Sequence, residues 1–326
     1  MTDASIFART CTPVPDAIAV GDPGLSALTT RELEDRIIAF VRGASIALSP
    51  QDEPLLPDLA ALLPAQTDVY VVHPPLAKLH DVVRTARAVR KQGWQACPHI
   101  VARDLHSEPE LRRALGELCA HGIDRILLVA GDRNSPAGPY SDTLDVLATG
   151  ATVDCGITTI AVVAYPEGHR AIGPGLLWEA LAIKQAFAAR TGTKMHVVTQ
   201  FGFHPRAVQE WVCHGRERGI TLPVHAGLAG PVLLPKLIRF AMRCGIGNSM
   251  HALTRSTSAL THQAPLTMTP EEMLVGLVHS RGDDAAIARP HFFCFGGCLE
   301  TARWLLRVRE GAFELTDDGT RFAVGA

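Results

Sequence analysis

Residues 156–170 read GITTIAVVAYPEGHR. The run from Ile157 to Val163 is dominated by β-branched residues, the composition of a strand buried on both faces. Tyr165, Glu167, His169 and Arg170 stand directly behind it. Four polar or ionisable groups at the end of a buried strand suit a parallel sheet, whose loops leave the strand C-termini carrying side chains toward a ligand. The plainer alternative is a hydrogen-bonded loop that only closes the turn into the next helix.

The same grammar recurs on both sides. Runs with strand character lie at 44–48 (ASIAL), 68–72 (DVYVV), 97–102 (CPHIVA), 125–130 (RILLVA), 158–163 (TTIAVV), 195–200 (MHVVTQ), 222–227 (LPVHAG) and 291–295 (HFFCF). Amphipathic segments separate them, among them 79–93 and 107–122. Ser107 with Glu110 three residues on predicts a capping box for the latter, and Gly93 and Gly122 predict the ends of both helices. Eight alternations of strand and helix predict an α/β fold, a (β/α)8 TIM barrel spanning 44–326. Residues 1–43 read as an N-terminal arm rich in Pro and Gly followed by a helix over 29–43. The stretch 255–265 predicts a long loop before a helix over 269–280.

With 47% hydrophobic and 20% charged residues, the chain has the apolar material for one large core and no signature of disorder. A formal charge of −2, without runs of Lys or Arg interleaved with aromatics, argues against a nucleic-acid partner. No stretch approaches the roughly 20 apolar residues of a membrane span, and the start of the chain lacks a basic segment followed by an apolar one, so the expectation is a cytoplasmic protein. The eight cysteines show no CxxC pairing, which predicts buried reduced thiols and no metal site.

Chemistry collects at the strand ends. His99 lies in the third run, Gly131, Asp132, Arg133 and Asn134 follow the fourth, and Gln200 closes the sixth. A carboxylate such as Asp132 can accept two hydrogen bonds from an amidine-like ring edge, as a pterin offers, and a glutamine supplies both donor and acceptor to another edge of the ring. Against these stand the plain alternatives of a helix cap for Asp132 and a satisfied core residue for His99.

Taken in order, PHIVARD, LLVAGDRNSP, AYPEGH, VVTQFGFHP, PVHAGL with LIRFAMRCGI, and HFFCFGG resemble the methylenetetrahydrofolate reductase family from about residue 44 to about residue 308. The resemblance implies interconversion of 5,10-methylene- and 5-methyl-tetrahydrofolate, with NADH or NADPH as cosubstrate and FAD as the usual carrier, as part of one-carbon metabolism. It places Asp132 at the pterin and the flavin, and Gln200 with Phe201 at the folate. Tyr165, His169 and His99 fall around the flavin ring and ribityl chain and Glu179 toward the FAD ribose and pyrophosphate, with Lys184 as a substitute cation there; Glu167 is a catalytic candidate of this chain's own.

Two departures matter. Ala47 occupies the place of the family's glutamate, the acid that protonates the folate nitrogen, and an alanine carries no proton. Glu167, His99 or a water held by Ser45 or Ser49 are the candidate replacements. On the helix after the fifth strand, Ala182 and Ala186 stand where the family has an asparagine and a lysine. Three readings therefore stay open: a divergent reductase, a flavin-independent form of the same enzyme, and a non-catalytic folate-binding relative. A corrinoid-linked methyltransferase is more distant, since no HxC or CxxC spacing supports it. A homo-oligomer using the N-terminal arm is expected.

Overall fold

A computed structural model describes residues 28–75, 77–244, 267–279 and 286–325. The expected arm over residues 1–27 and the expected loop at 255–265 lie outside the described residues. The strands are β1 (Ser45–Leu48), β2 (Asp68–Val71), β3 (Gln95–Val101), β4 (Arg125–Val129), β5 (Thr159–Ala164), β6 (Lys194–Thr199), β7 (Val224–Ala229), the short antiparallel pair β8 (Val232–Leu233) and β9 (Thr267–Met268), then β10 (Ile287–Phe293). β1 to β7 and β10 close an all-parallel barrel in the order β1-β10-β7-β6-β5-β4-β3-β2. A final antiparallel pair, β11 (Phe313–Leu315) and β12 (Phe322–Val324), ends the chain's regular structure.

The helices are α1 (Thr30–Arg42), α2 (Leu56–Ala60), α3 (Leu79–Lys91), α4 (Glu108–Ala120), α5 (Thr143–Ala148), α6 (Ala151–Asp154), α7 (Pro174–Thr191), α8 (Pro205–Glu217), α9 (Leu234–Cys244), α10 (Glu271–His279) and α11 (Cys298–Arg309). The barrel predicted from the periodicity is thus present, with each expected strand in place. The eighth starts four residues before its apolar run, because Arg289 and Pro290 interrupt the hydrophobic signal while the backbone, with a register shift between Ile287 and Arg289, already pairs with β7.

α1 buries Leu33, Ile37, Phe40 and Val41, and it packs on α10, α11 and β10, so it belongs to the barrel's helical coat. Thr29 caps it with a complete capping box. At α4 the box is only half made. Ser107 accepts from the Glu110 N–H, while the Glu110 carboxylate reaches one residue further back, to the His106 N–H at 2.7 Å. Gly93 (φ +86°) and Gly122 (φ +69°) end α3 and α4 in the left-handed region, as predicted. On the outer wall Trp178 of α7 and Trp211 of α8 stack with centroids 4.9 Å apart and planes at 16°. The Arg218 guanidinium lies 5.4 Å from the Trp178 ring.

Cys97, Cys294 and Cys298 are buried free thiols and Cys119 and Cys155 half-buried ones, whereas Cys213 is disulfide-bonded, contrary to the expectation of reduced cysteines throughout. Among the described residues no helix is long and apolar enough to cross a membrane, and no group of three or more His, Cys, Asp or Glu is placed to hold a metal ion.

Candidate functional site

Strand side chains alternate, so every second residue of each barrel strand points to the axis. The register groups them in layers drawn from alternate strands. At the foot, Asp68 receives Arg125 Nη1 at 2.9 Å and Arg289 Nη1 at 2.5 Å. His196 lies at this level too; above it Ser45, Cys97, Ala161 and His225 form one layer, and Tyr70, Leu127, Val198 and His291 the next. The polar members of these layers bond to one another. Arg289 Nε donates to His225 Nε2 at 3.1 Å, His225 stacks on His196 at 4.1 Å, Tyr70 Oη lies 2.8 Å from His196 Nε2, and Ser45 Oγ lies 2.9 Å from His291 Nδ1.

Because an arginine N–H only donates, His225 Nε2 accepts and the ring proton sits on Nδ1. That nitrogen is buried without a hydrogen-bond partner. Burial, reinforced by Arg289 and neighbouring imidazoles, holds His196 and His291 neutral with pKa values of about 3 and pushes His225 further down. Burial likewise raises the Tyr70 phenol well above its ordinary range, with Cys97 and Asp68 adding to the effect.

This interior ladder is absent from the sequence-based prediction. Its signal is a polar residue at every second position of an apolar run: Asp68 and Tyr70 in β2, Arg125 in β4, His196 in β6, His225 in β7, and Arg289 and His291 in β10.

Toward the C-terminal ends of the strands the character changes. Ala47 is 4% exposed and packs in a cluster with Tyr70, Cys97, Leu127, Ala161 and Val198, so the position where the resemblance would put a glutamate holds a buried methyl group. His99, one turn of the pleat above Tyr70, contacts that ring edge-on at 6.5 Å and opens partly to the mouth. Burial and His73 bring its pKa to about 3, so it is a neutral imidazole and not an acid at physiological pH. Ser45 is buried against His291, and Ser49 Oγ gives its proton to Asp52 at 2.8 Å, so Ser49 can meet a water only as an acceptor.

The loops after β4, β5 and β6 meet on one edge of the mouth. Gly131 turns the chain out of β4 at φ +93°, and a Cβ there would collide with Val101 Cγ1, so the turn that presents Asp132 requires glycine. Arg103 latches this loop to β3: its N–H donates to Ala130 O at 3.0 Å, Nε to Ser141 O at 2.7 Å and Nη1 to Arg133 O at 3.0 Å. Asp142, not Asp132, caps the following helix. Asp132 is exposed, with no hydrogen bond or ion pair among the described residues.

Tyr165 and His169 meet edge-on at 4.7 Å. His169 is held below its ordinary pKa by burial and Arg170, with Asp132 pulling the other way, which places those two side chains in each other's field. Glu167 lies against Gly202, where a Cβ would come within 2.9 Å of its Oε1. Gln200 donates its N–H to Ala164 O at 2.8 Å, and its Oε1 accepts from Phe201 N at 3.1 Å, leaving the amide NH2 toward the mouth end of β6.

Three predicted positions fall elsewhere. Phe201 is 2% exposed in an aromatic cluster with Phe203, Phe293 and Phe295, so it shapes the floor and offers no face of its own. Glu179 is exposed on α7. Lys184, roughly 15 Å along the helix axis from its first residue at 1.5 Å per residue, is half-buried; burial lowers its pKa and Asp142 opposes that shift.

No family model matches the sequence. Among solved structures the chain is similar to a protein assigned as a deoxyribose-phosphate aldolase from Toxoplasma gondii ME49 (12% identity, 85% of this chain and 98% of that chain, TM-score 0.45). It is also similar to dihydropteroate synthase from Thermus thermophilus (16%, 82% and 92%, TM-score 0.41). A third is a protein assigned as a lyase or mutase from Burkholderia cenocepacia J2315 (12%, 86% and 86%, TM-score 0.42). The likeness is one of fold.

Proposed function

We propose that the chain is a folate-dependent oxidoreductase of the methylenetetrahydrofolate reductase type, exchanging hydride between NADH or NADPH and the one-carbon unit of a tetrahydrofolate. The observation that carries this reading is the exposed carboxylate of Asp132, without a partner among the described residues and held by a glycine turn and the Arg103 latch near His169, whose ring meets Tyr165. An anchored carboxylate without a protein partner suits the amidine edge of a pterin, with Gln200 for a second edge.

FAD, the carrier that the resemblance implies, fits poorly at α7. Ala182 and Ala186 are exposed methyl groups, Glu179 is an exposed anion, Leu176 and Ile183 are 64% and 47% exposed, and Lys184 is half-buried with Asp142 in its field. That face lacks the amides and cations a pyrophosphate needs, each such charge-assisted bond contributing about 1.5–3 kcal/mol. The flavin-independent form is therefore preferred, with the nicotinamide against the folate. In the reducing direction the bond from N10 to the methylene carbon breaks as N10 takes a proton. Hydride from the nicotinamide then reduces the iminium carbon to the methyl group, leaving the oxidised nucleotide. In this reading Glu167, on the loop that carries Tyr165 and His169, holds that proton.

A second reading, a folate binder without turnover, is favoured by Ala47 and by the neutrality of His99, since neither supplies a proton. The decisive experiment follows nicotinamide absorbance with methylene- and methyl-tetrahydrofolate, with and without added FAD, alongside the visible spectrum of the FAD mixture. Turnover without flavin supports the flavin-independent form, and a flavin band bleached by methyl-tetrahydrofolate would restore FAD. Folate binding with no turnover selects the binder, and no folate binding overturns both readings.

A further inference from the structure

A cleft of about 450 Å³ opens at the rim of the barrel between α3 and α4, within the size range of small-molecule sites. Its floor is apolar, made of Leu79, Val83, Leu105 and Ala114, and its rim is charged. The acids there are already engaged. Glu117 pairs with Arg87 at 2.9 Å, Glu110 accepts the His106 N–H at 2.7 Å, and Asp104 stands 3.7 Å from Arg133 Nε. The cations Lys78 and Arg113 have no such partner among the described residues. Lys78 is also the N-cap residue of α3 and makes no side-chain cap bond, so the start of a 13-residue helix, where the Asp81 N–H is taken up by Lys78 O at 3.0 Å, borders the cleft. The Asp81 carboxylate of that turn is held by Arg84 at 2.7 Å. His73, which also lines the cleft, donates Nε2 to Ala77 O at 2.9 Å, so its buried Nδ1, without a partner among the described residues, is an acceptor for a donor on the ligand body and not for its anion.

We propose that this cleft is a subsite for the anionic end, carboxylate or phosphate, of a small molecule with an apolar or aromatic body. The body lies on the floor, and Lys78, Arg113 and the α3 N-terminus take the charge. Arg133, adjacent to Asp132, joins the cleft to the mouth. The inference thereby extends the site of the folate reading, while its test does not need that reading to hold.

The test is calorimetric titration of the full chain with two probes that lack both pterin and flavin, p-aminobenzoyl-glutamate for the carboxylate source and adenosine 5′-diphosphate for the phosphate source. One probe is expected to bind once per chain. Arg113→Ala and Lys78→Ala should each weaken it about tenfold or more, whereas Asp132→Ala should leave it unchanged. Both cations are exposed, so melting temperatures should stay near that of the unmodified chain. A second measurement needs no variant: the affinity must fall as salt rises. Binding of neither probe, binding indifferent to both cations or to salt, or binding lost in Asp132→Ala alone would overturn the proposal.

Discussion

The foot and the mouth of this barrel both carry polar side chains, yet they treat them in opposite ways. At the foot, Asp68, Arg125, Arg289, His225, His196, Tyr70, His291 and Ser45 are bonded or stacked among themselves, and the imidazoles are kept neutral by burial. At the mouth, Asp132 has no protein partner among the described residues and His99 opens to the cavity. Polar groups that bond one another hold a wall together, even where single atoms such as His225 Nδ1 find no partner among the described residues. Those left without partners on an anchored turn are available to a ligand, and this distinction separates site from scaffold here more sharply than residue type does.

Acid tests the comparison most severely. The folded-state pKa values of about 3 for His99, His196 and His291 lie below the unfolded value near 6.5. The unfolded chain therefore binds more protons between those limits, and stability falls as pH drops through that window. Each such histidine contributes a slope of about 1.4 kcal/mol per pH unit. Denaturant unfolding measured from pH 7 to pH 4 should show a steep loss, and a flat profile would mean that the interior imidazoles are hydrated.

The next largest effect is expected from Asp68→Ala, which strands Arg125 and Arg289 in the wall and should cost about 3 kcal/mol in chemical denaturation. A loss under about 1 kcal/mol would show those charges to be solvated. Gly131→Ala forces a side chain into the left-handed region against Val101 and should cost roughly 1–3 kcal/mol while weakening folate binding. Unchanged stability and affinity would detach the turn from the site. Smallest of all in stability, within about 0.5 kcal/mol, is Asp132→Ala, which should nevertheless abolish folate binding. Unchanged folate affinity would remove Asp132 from its role.

Much of the fold was legible in the sequence because β-branched runs and glycine-ended amphipathic helices are local signals. β10 began too late in the reading since Arg289 and Pro290 look unlike a strand, though Arg289 is there to reach Asp68 across the interior. The mouth residues Asp132, Tyr165, His169 and Gln200 were visible from their places at strand ends. Arg103 was not, because a latch between two loops is defined by backbone carbonyls that only the folded chain brings near. Lys184 depends on helix register, since a few residues decide which way a side chain on α7 faces.

The stacked indoles of Trp178 and Trp211 have a practical consequence. They sit on α7 and α8, the helices that continue the β5 and β6 loops bearing Tyr165, His169 and Gln200, while the other two tryptophans, Trp94 and Trp304, are buried at 1% and 6% exposure. Two parallel rings in contact behave optically as one coupled chromophore, whose near-ultraviolet circular dichroism depends on their mutual angle. Occupation of the β5–β6 edge should change that band without any attached dye, and an occupant of the α3–α4 cleft should leave it still, so the chain carries its own indicator of which door a ligand has entered.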